Sequence, residues 1–409
     1  MTVIADLPDL RPSLLLDFTN SRRVHPLIQC TRASTATCFG PDRRLRNVAA
    51  NVPRIDYDPA TGKCLGLLVE EARTNLILQS NNFSNALWTK SAPITVTPEA
   101  DDWWDISHNG SGNYAGIYQA GRPNTNKYAS FYFDIKPGSL TSASMFLGFN
   151  GTADAARVSF DFAAGTSAIG SLVGSITAAM VTHSIKNMGD FWRCTLSVDV
   201  SSIPITPTSN VCYLYTGAVV SGQVAGNIKA RRAQLESAPF PTSYIPTDAA
   251  AVTRAADLIG IDYTFPTVGA IVSSVAGVSS ASTGNVYLWS AISPSDHSSD
   301  HAYSYYPSGV QSTNWWVKKG LVDQSGGNVL GRRLISGFSF DAISQTAAIA
   351  SGSLLTQDAS IRPRDFPSNL SQLLLGRSRT NTGFLNGCLS RLAVYSGRIT
   401  NAQLQRLTA

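Results

Sequence analysis

Prolines 239, 241 and 246 fall within the short run from Gln234 to Thr247. Each fixes φ, removes a backbone donor and pushes the residue before it toward extended geometry. Neither a helix nor a central strand passes through that spacing. The run therefore reads as a stiff extended strap, with Phe240, Tyr244 and Ile245 apolar enough to hold it on a neighbouring surface. Strand-like sequence lies on both sides, about 150 residues each way, which is near the usual size of a domain.

The flanking sequence has a two-residue apolar period. Ala129, Phe131, Phe133 and Ile135 alternate with Tyr128, Ser130, Tyr132 and Asp134; Val158, Phe160 and Phe162 repeat the pattern, and Val211, Tyr213 and Tyr215 follow. Trp192, Cys194, Leu196, Val198 and Val200 form the cleanest apolar face, which places Trp192 in a core. Such alternation, punctuated by turns, predicts antiparallel sheets with one face buried. The fold class is all-β, in three stretches. Residues 1–80 form a small N-terminal β unit with too thin a core to stand alone, in which Asp58–Gly62 turns between two strands. Residues 81–250 form a jelly-roll sandwich ending in the strap. Residues 258–409 form a second sandwich, closed by Asn386-Gly387 and a short terminal helix with Thr400 and Gln403 as its capping box.

Composition narrows the function. Of the 409 residues only 14% are charged, and the net charge of +5 is not gathered into any basic run longer than a pair. That argues against a nucleic-acid interface. The first residues lack the basic and apolar regions of a signal peptide, and no apolar stretch is long enough for a transmembrane segment. The six cysteines show no C-x-x-C spacing. Cys30 and Cys38 are close enough in sequence for a hairpin disulfide, whereas a reducing cytoplasm would keep them as thiols.

Three longer signatures carry a resemblance. They are Thr31–Thr37 (TRASTAT), Ala49–Pro59 with Gly66–Leu76 (AANVPRIDYDP, GLLVEEARTNL), and Gln234–Thr247 running on to Thr253–Asp257 (QLESAPFPTSYIPT, TRAAD). Together they resemble bacteriophage tail-fibre and head-fibre (head spike) virion proteins with carbohydrate-binding-like jelly-roll modules. The ending Leu385–Thr400 is similar to the closing strand of concanavalin- or laminin-G-like sandwiches. The resemblance implies a virion protein assembled in the host cytoplasm and attached to other virion proteins. It implies a homotrimer that binds host cell-surface polysaccharide and inserts in no membrane. A purely architectural decoration or adaptor protein is the alternative, and a polysaccharide depolymerase a third reading.

Candidate contacts follow from sugar chemistry, in which apolar C–H faces stack on flat rings and polar edges meet amides and acids. Trp88, Trp103, Trp104, Tyr114 and Tyr118 make the aromatic set of the jelly roll. Within Ala100–Gln119, the rings of Trp103, Trp104 and Tyr114 stand with Asn109, Asn113 and Gln119 as hydrogen-bond partners. A second candidate is the predicted loop Asp296, His297, Asp300 and His301, with Tyr305 and Trp315 beyond it. Its Asp-His pairs could ligate a metal, but calcium prefers oxygen ligands, and a polar binding loop without metal is the favoured reading. No cofactor is expected beyond a structural calcium at most. The chain carries no H-E-x-x-H, G-x-S-x-G or P-loop motif, and a non-enzymatic role is expected.

Overall fold

The computed structural model describes residues 11–218, 223–266, 268–276, 286–293, 296–306, 314–317, 320–322, 334–341, 346–351, 354–357, 370–397 and 399–408, of which 296–357 are described by backbone alone. The chain is nearly all β, as its period-two patterning predicts. Its contacts gather into two compact units. One comprises residues 1–58, 62–72 and 255–409; the other comprises 59–61 and 73–254.

In the first unit, the N-terminal stretch shares a core with the C-terminal one. The strand Gly387–Tyr395 is the seam: Leu14–Asp17 pairs with it at Arg391–Val394, Cys64–Val69 at Gly387–Leu389, and Val268–Ala276 along its other edge. Leu16, Phe18, Leu67 and Val69 therefore pack with Ile259, Ile271, Leu288, Leu373, Leu392 and Val394. A stretch too small to bury its own strands completes the sheet of another segment instead, and the second unit is an insertion between Cys64–Val69 and Leu258–Asp262. Opposite lies a seven-stranded sheet that includes Gln29–Thr31, Leu258–Asp262, Gln372–Leu375 and Val286–Ser293.

Two further points concern this unit. The terminal helix Asn401–Thr408 starts as its capping box predicts, with the Gln403 amide donating to Thr400 Oγ1 at 3.3 Å and the Thr400 amide to Gln403 Oε1 at 2.9 Å. Leu404 and Leu407 bury its inner face. A second, one-turn helix, Phe18–Ser21, is capped by the Asp17 carboxylate. Cys30 and Cys38 are free thiols, since Gln29–Thr31 pairs with Leu258–Asp262 while Ala36–Phe39 pairs with Leu45–Val48.

The second unit is a sandwich of two six-stranded antiparallel sheets. One sheet runs Val181–Asn187, Trp192–Asp199, Tyr128–Pro137, Gly226–Glu236, Trp104–His108 and Ile94–Pro98. The other runs Thr166–Val173, Asp154–Asp161, Ser142–Phe149, Ser209–Thr216, Gly116–Pro123 and Thr89–Lys90. The inner faces meet in one core built on Phe131, Phe133, Ile135, Met145, Leu147, Val158, Leu196, Leu214 and Leu235. Trp192, at a strand end, only half-enters that core.

Candidate functional site

The signature residues fold into two buried polar clusters. In the first unit Arg32 Nη1 donates to Asp257 Oδ1 at 2.8 Å, and Arg54 Nη2 donates to Glu70 Oε2 at 2.8 Å and to Asp257 Oδ2. All four residues are at most 5% exposed. Removing one member of such a group strands a buried charge, so the cluster fixes these residue types for structural reasons. Asp56 accepts from the Phe39 amide at 2.8 Å beside them, and burial pushes its carboxyl up to about 6.

In the second unit the strap lies across the outer face of the first-described sheet. Gln234 Nε2 donates to Glu236 Oε1 at 2.7 Å, and its Oε1 accepts from the Ile245 amide at 2.6 Å. Glu236 also takes the Thr242 amide at 3.1 Å and the Thr242 hydroxyl at 2.7 Å, while Arg254 Nη1 donates to Thr242 Oγ1 at 3.1 Å. The Tyr244 and Ser80 hydroxyls meet at 2.7 Å. Farther along the same face Arg193 grips Asp134 through two bonds of 2.7 and 3.0 Å. The proline spacing thus holds an extended segment where a buried polar network requires it.

The six residues of Ala100–Gln119 separate in space. Trp103 is 5% exposed, with the Arg231 guanidinium 4.1 Å and Lys136 Nζ 4.6 Å from its ring and Phe191 edge-on at 5.8 Å. Both cations occupy the ring, so no sugar face can. Trp104 is half-buried, its Nε1 bound to Asn81 O at 2.8 Å. Between Glu99 and Trp103 the chain turns through Asp101 and Asp102, both at positive φ. Gln119 is buried and spends its amide on the Leu78 backbone at 2.6 and 3.1 Å. Asn109 accepts from the Ser111 amide and hydroxyl, and Asn113 and Tyr114 stand exposed near it in the same turn. Trp88, from the wider set, is a core ring.

The second candidate is a strand and not the expected loop: Asp296–Tyr306 pairs with Val286–Ser293, and Asn314–Val317, carrying Trp315, pairs with it in turn. The register passes from Ser293 opposite Asp296 to Ile292 opposite His301, setting His297–Asp300 between those pairs. Side chains of Asp296, His297, Asp300, His301, Tyr305 and Trp315 lie outside the described residues. Among the described residues no group of three or more His, Cys, Asp or Glu is placed to hold a metal ion.

An aromatic surface does exist, on the outer face of the other sheet. Register sets Tyr118, Tyr213, Phe146, Arg157 and Ser171 in one row across five strands. Tyr215 and Ser144 with Ser159 form the next row. Tyr118 stacks on Tyr213 with ring centroids 4.3 Å apart, Tyr213 on Tyr215 at 5.3 Å, and Phe146 meets Tyr213 edge-on at 5.6 Å. Tyr118, Tyr213 and Arg157 are half-exposed, whereas Tyr215 and Phe146 are buried beneath the patch. None of the three tyrosine hydroxyls has a hydrogen-bond partner among the described residues. Burial raises the phenols of Tyr213 and Tyr215 above the usual tyrosine value, which keeps them as O–H groups.

Two glycines shape this face. A Cβ at Gly116 would collide with the Leu214 carbonyl oxygen and come within 3.0 Å of Tyr215 Cδ1, and one at Gly170 would come within 2.9 Å of the Arg157 guanidinium. Ring and guanidinium therefore lie down over neighbouring backbone. The Ser144 and Ser159 hydroxyls donate to Ala218 O at 3.0 and 3.2 Å, pinning the start of the next loop beside Arg157. The alternation of Tyr213 and Tyr215 was visible in sequence, but only pairing brings Tyr118, Phe146 and Arg157 alongside.

No protein-family model matches the chain, and no curated protein matches it. Among solved structures, the CBM40 module of Ruminococcus gnavus IT-sialidase bound to α2,3-sialyllactose is similar over 37% of this chain and 93% of its own, at 13% identity and TM-score 0.30. Trypanosoma rangeli sialidase in complex with sialic acid is similar over 77% of this chain and 61% of its own, at 10% identity and TM-score 0.27. Among the described residues no helix is long and apolar enough to cross a membrane.

Proposed function

We propose that this is a glycan-binding protein of the bacteriophage virion, a fibre or spike component that attaches to host surface polysaccharide through the Tyr118–Tyr213–Tyr215 face. The observation that carries the glycan reading is the stack of Tyr118, Tyr213 and Tyr215, whose hydroxyls have no partner among the described residues, with Tyr118 and Tyr213 half-open to solvent over the buried Tyr215. Rings offer apolar surface to sugar C–H groups, and phenol hydroxyls donate to and accept from sugar hydroxyls. The virion role is supported by the fibre-like signatures, whose residues form the two buried clusters. The protein acts by binding and not by cleavage. Glycoside hydrolysis asks for two carboxylates flanking the scissile bond. The carboxylate on this face among the described residues is Asp161, at a strand end, whose Oδ1 caps the Ala163 and Ala164 amides.

Single-site affinity of such a face is weak, on the order of millimolar, and a homotrimer repeated over a particle raises it through avidity. The test is a polysaccharide array probed with the full chain and with Tyr213→Ala. Binding that falls about tenfold or more in the variant, at unchanged melting temperature, supports the reading. Binding undiminished by the substitution removes the face from the function. Light scattering that returns a stable monomer at micromolar concentration overturns the trimer.

A further inference from the structure

We infer that the saccharide received by this face is acidic, its anionic substituent, a carboxylate or a sulfate, being taken by Arg157; this rests on the glycan reading given above. Arg157 stands next to Phe146 in the row, at the end away from Tyr118. Its Nε faces Ser171 Oγ at 3.4 Å and its Nη1 donates to Ala218 O at 3.0 Å. A guanidinium has five N–H donors in one plane, so among the described residues both hydrogens of Nη2 and one of Nη1 remain without a partner. Those are the donors of an end-on, two-bond grip on a planar anion.

Among the described residues no carboxylate lies within ion-pair distance of Arg157. Asp161 is four residues along the same strand, and its Oδ1 is committed to backbone amides. The remaining described groups of the two rows are rings, hydroxyls and small residues, which are neutral. On the opposite outer face of the same sandwich the guanidiniums of Arg193 and Arg232 meet Asp134, and that of Arg231 lies on Trp103. Arg157 is moreover held in place without an acid. Gly170 gives it room to lie flat, and Ser171 with the Ala218 carbonyl sets its plane. A cation positioned by neutral groups in the same row as the half-exposed Tyr213, two strands away, is arranged for an anion that arrives with the sugar.

The experiment uses the full chain on an array of acidic and neutral bacterial polysaccharides, with each acidic one also presented after carboxyl reduction or desulfation. The expected result is binding to acidic glycans that falls about tenfold or more when the charge is removed, and falls comparably in Arg157→Gln with unreduced glycan. Which chemical treatment abolishes binding identifies carboxylate or sulfate. Binding should also weaken as salt rises from about 0.05 to 0.5 M. Equal binding to charged and neutralised glycans, still lost in Tyr213→Ala, overturns the acidic-ligand inference and leaves the glycan face standing. Absence of binding to every polysaccharide overturns both. The charge-removal arm uses the unaltered protein, so it decides the matter even if Arg157→Gln folds poorly.

Discussion

The inserted sandwich has two outer faces built from similar residue types, one sealed by the strap and the other partly open. On the face beneath the strap, Ser130, Tyr132, Asp134, Gln234 and Glu236 are fully buried. Most of their polar atoms are satisfied within the protein, with Ser130 Oγ, Tyr132 Oη and the nearby Arg231 Nε as exceptions. On the other face Tyr118, Tyr213 and Arg157 keep part of their surface in water, and their polar ends meet few partners. A tyrosine and an arginine are thus structural on one side and available on the other. The difference lies in the strap: three prolines keep an extended segment over one sheet only. Composition of a face says little about its role until one knows what covers it.

The largest effect should come from breaking the sealed side. Glu236→Ala strands the Thr242 amide and hydroxyl and unseats Gln234, and should cost about 3 kcal/mol in urea unfolding. Affinity of the folded protein for glycan should not move. Trp103→Ala removes a ring buried among Arg231, Lys136 and Phe191 and should likewise cost about 3 kcal/mol. If instead it lowers glycan binding while stability holds, the assignment of the two faces is reversed.

How much of this was readable beforehand varies by region. Period-two runs such as Phe131-Phe133-Ile135 identify inner faces directly, because a strand's burial has its own two-residue period. The terminal helix could be read from Thr400 and Gln403 because capping is local. Sequence does not reveal which strands become neighbours. Leu14–Asp17 reaches its partner Gly387–Tyr395 across almost the whole chain, so the N-terminal stretch reads as separate when it completes a distant sheet. The same long-range pairing assembles Tyr118, Tyr213, Phe146 and Arg157 from four separate strands. In sequence Trp103 and Trp104 stand with amide side chains that suit a sugar, but the strand that pairs with Trp104 brings Arg231 over Trp103. Nor can a sequence show that Gln119 is spent on Leu78.

A third test extends the sealed side to the other unit through pH. The Asp56 carboxyl is raised from 3.8 to about 6, chiefly by burial, with the Phe39 amide opposing that shift and Glu70 adding to it. Between those values the folded state holds a proton that the unfolded chain has released. This contribution is therefore fully present below about pH 4 and is lost as pH rises through about 6, an effect on the order of 3 kcal/mol. Asp56→Asn should flatten that part of the stability profile. A variant whose profile keeps the same slope would assign the titration to another group. Glycan binding, proposed above for the second unit, should show no step in this window arising from Asp56.

The smallest effect gives the sharpest comparison, because one substitution can be made on both faces. Tyr244→Phe and Tyr213→Phe each remove a single hydroxyl and keep the ring. The Tyr244 hydroxyl meets Ser80 Oγ at 2.7 Å, and Ser80 Oγ in turn accepts from the Thr247 amide at 2.9 Å. Deleting it breaks a buried chain and should cost about 1 kcal/mol of stability, with affinity unchanged. The Tyr213 hydroxyl has no partner among the described residues, so its loss should leave the unfolding midpoint within about 0.5 kcal/mol of the parent. What it removes is one neutral hydrogen bond to a sugar, about 0.5–1.5 kcal/mol or roughly two- to tenfold in Kd. Two matched titrations and two unfolding curves decide it. If both variants lose stability and neither loses affinity, the half-open face is structural too, and the glycan contact must be sought elsewhere in the chain.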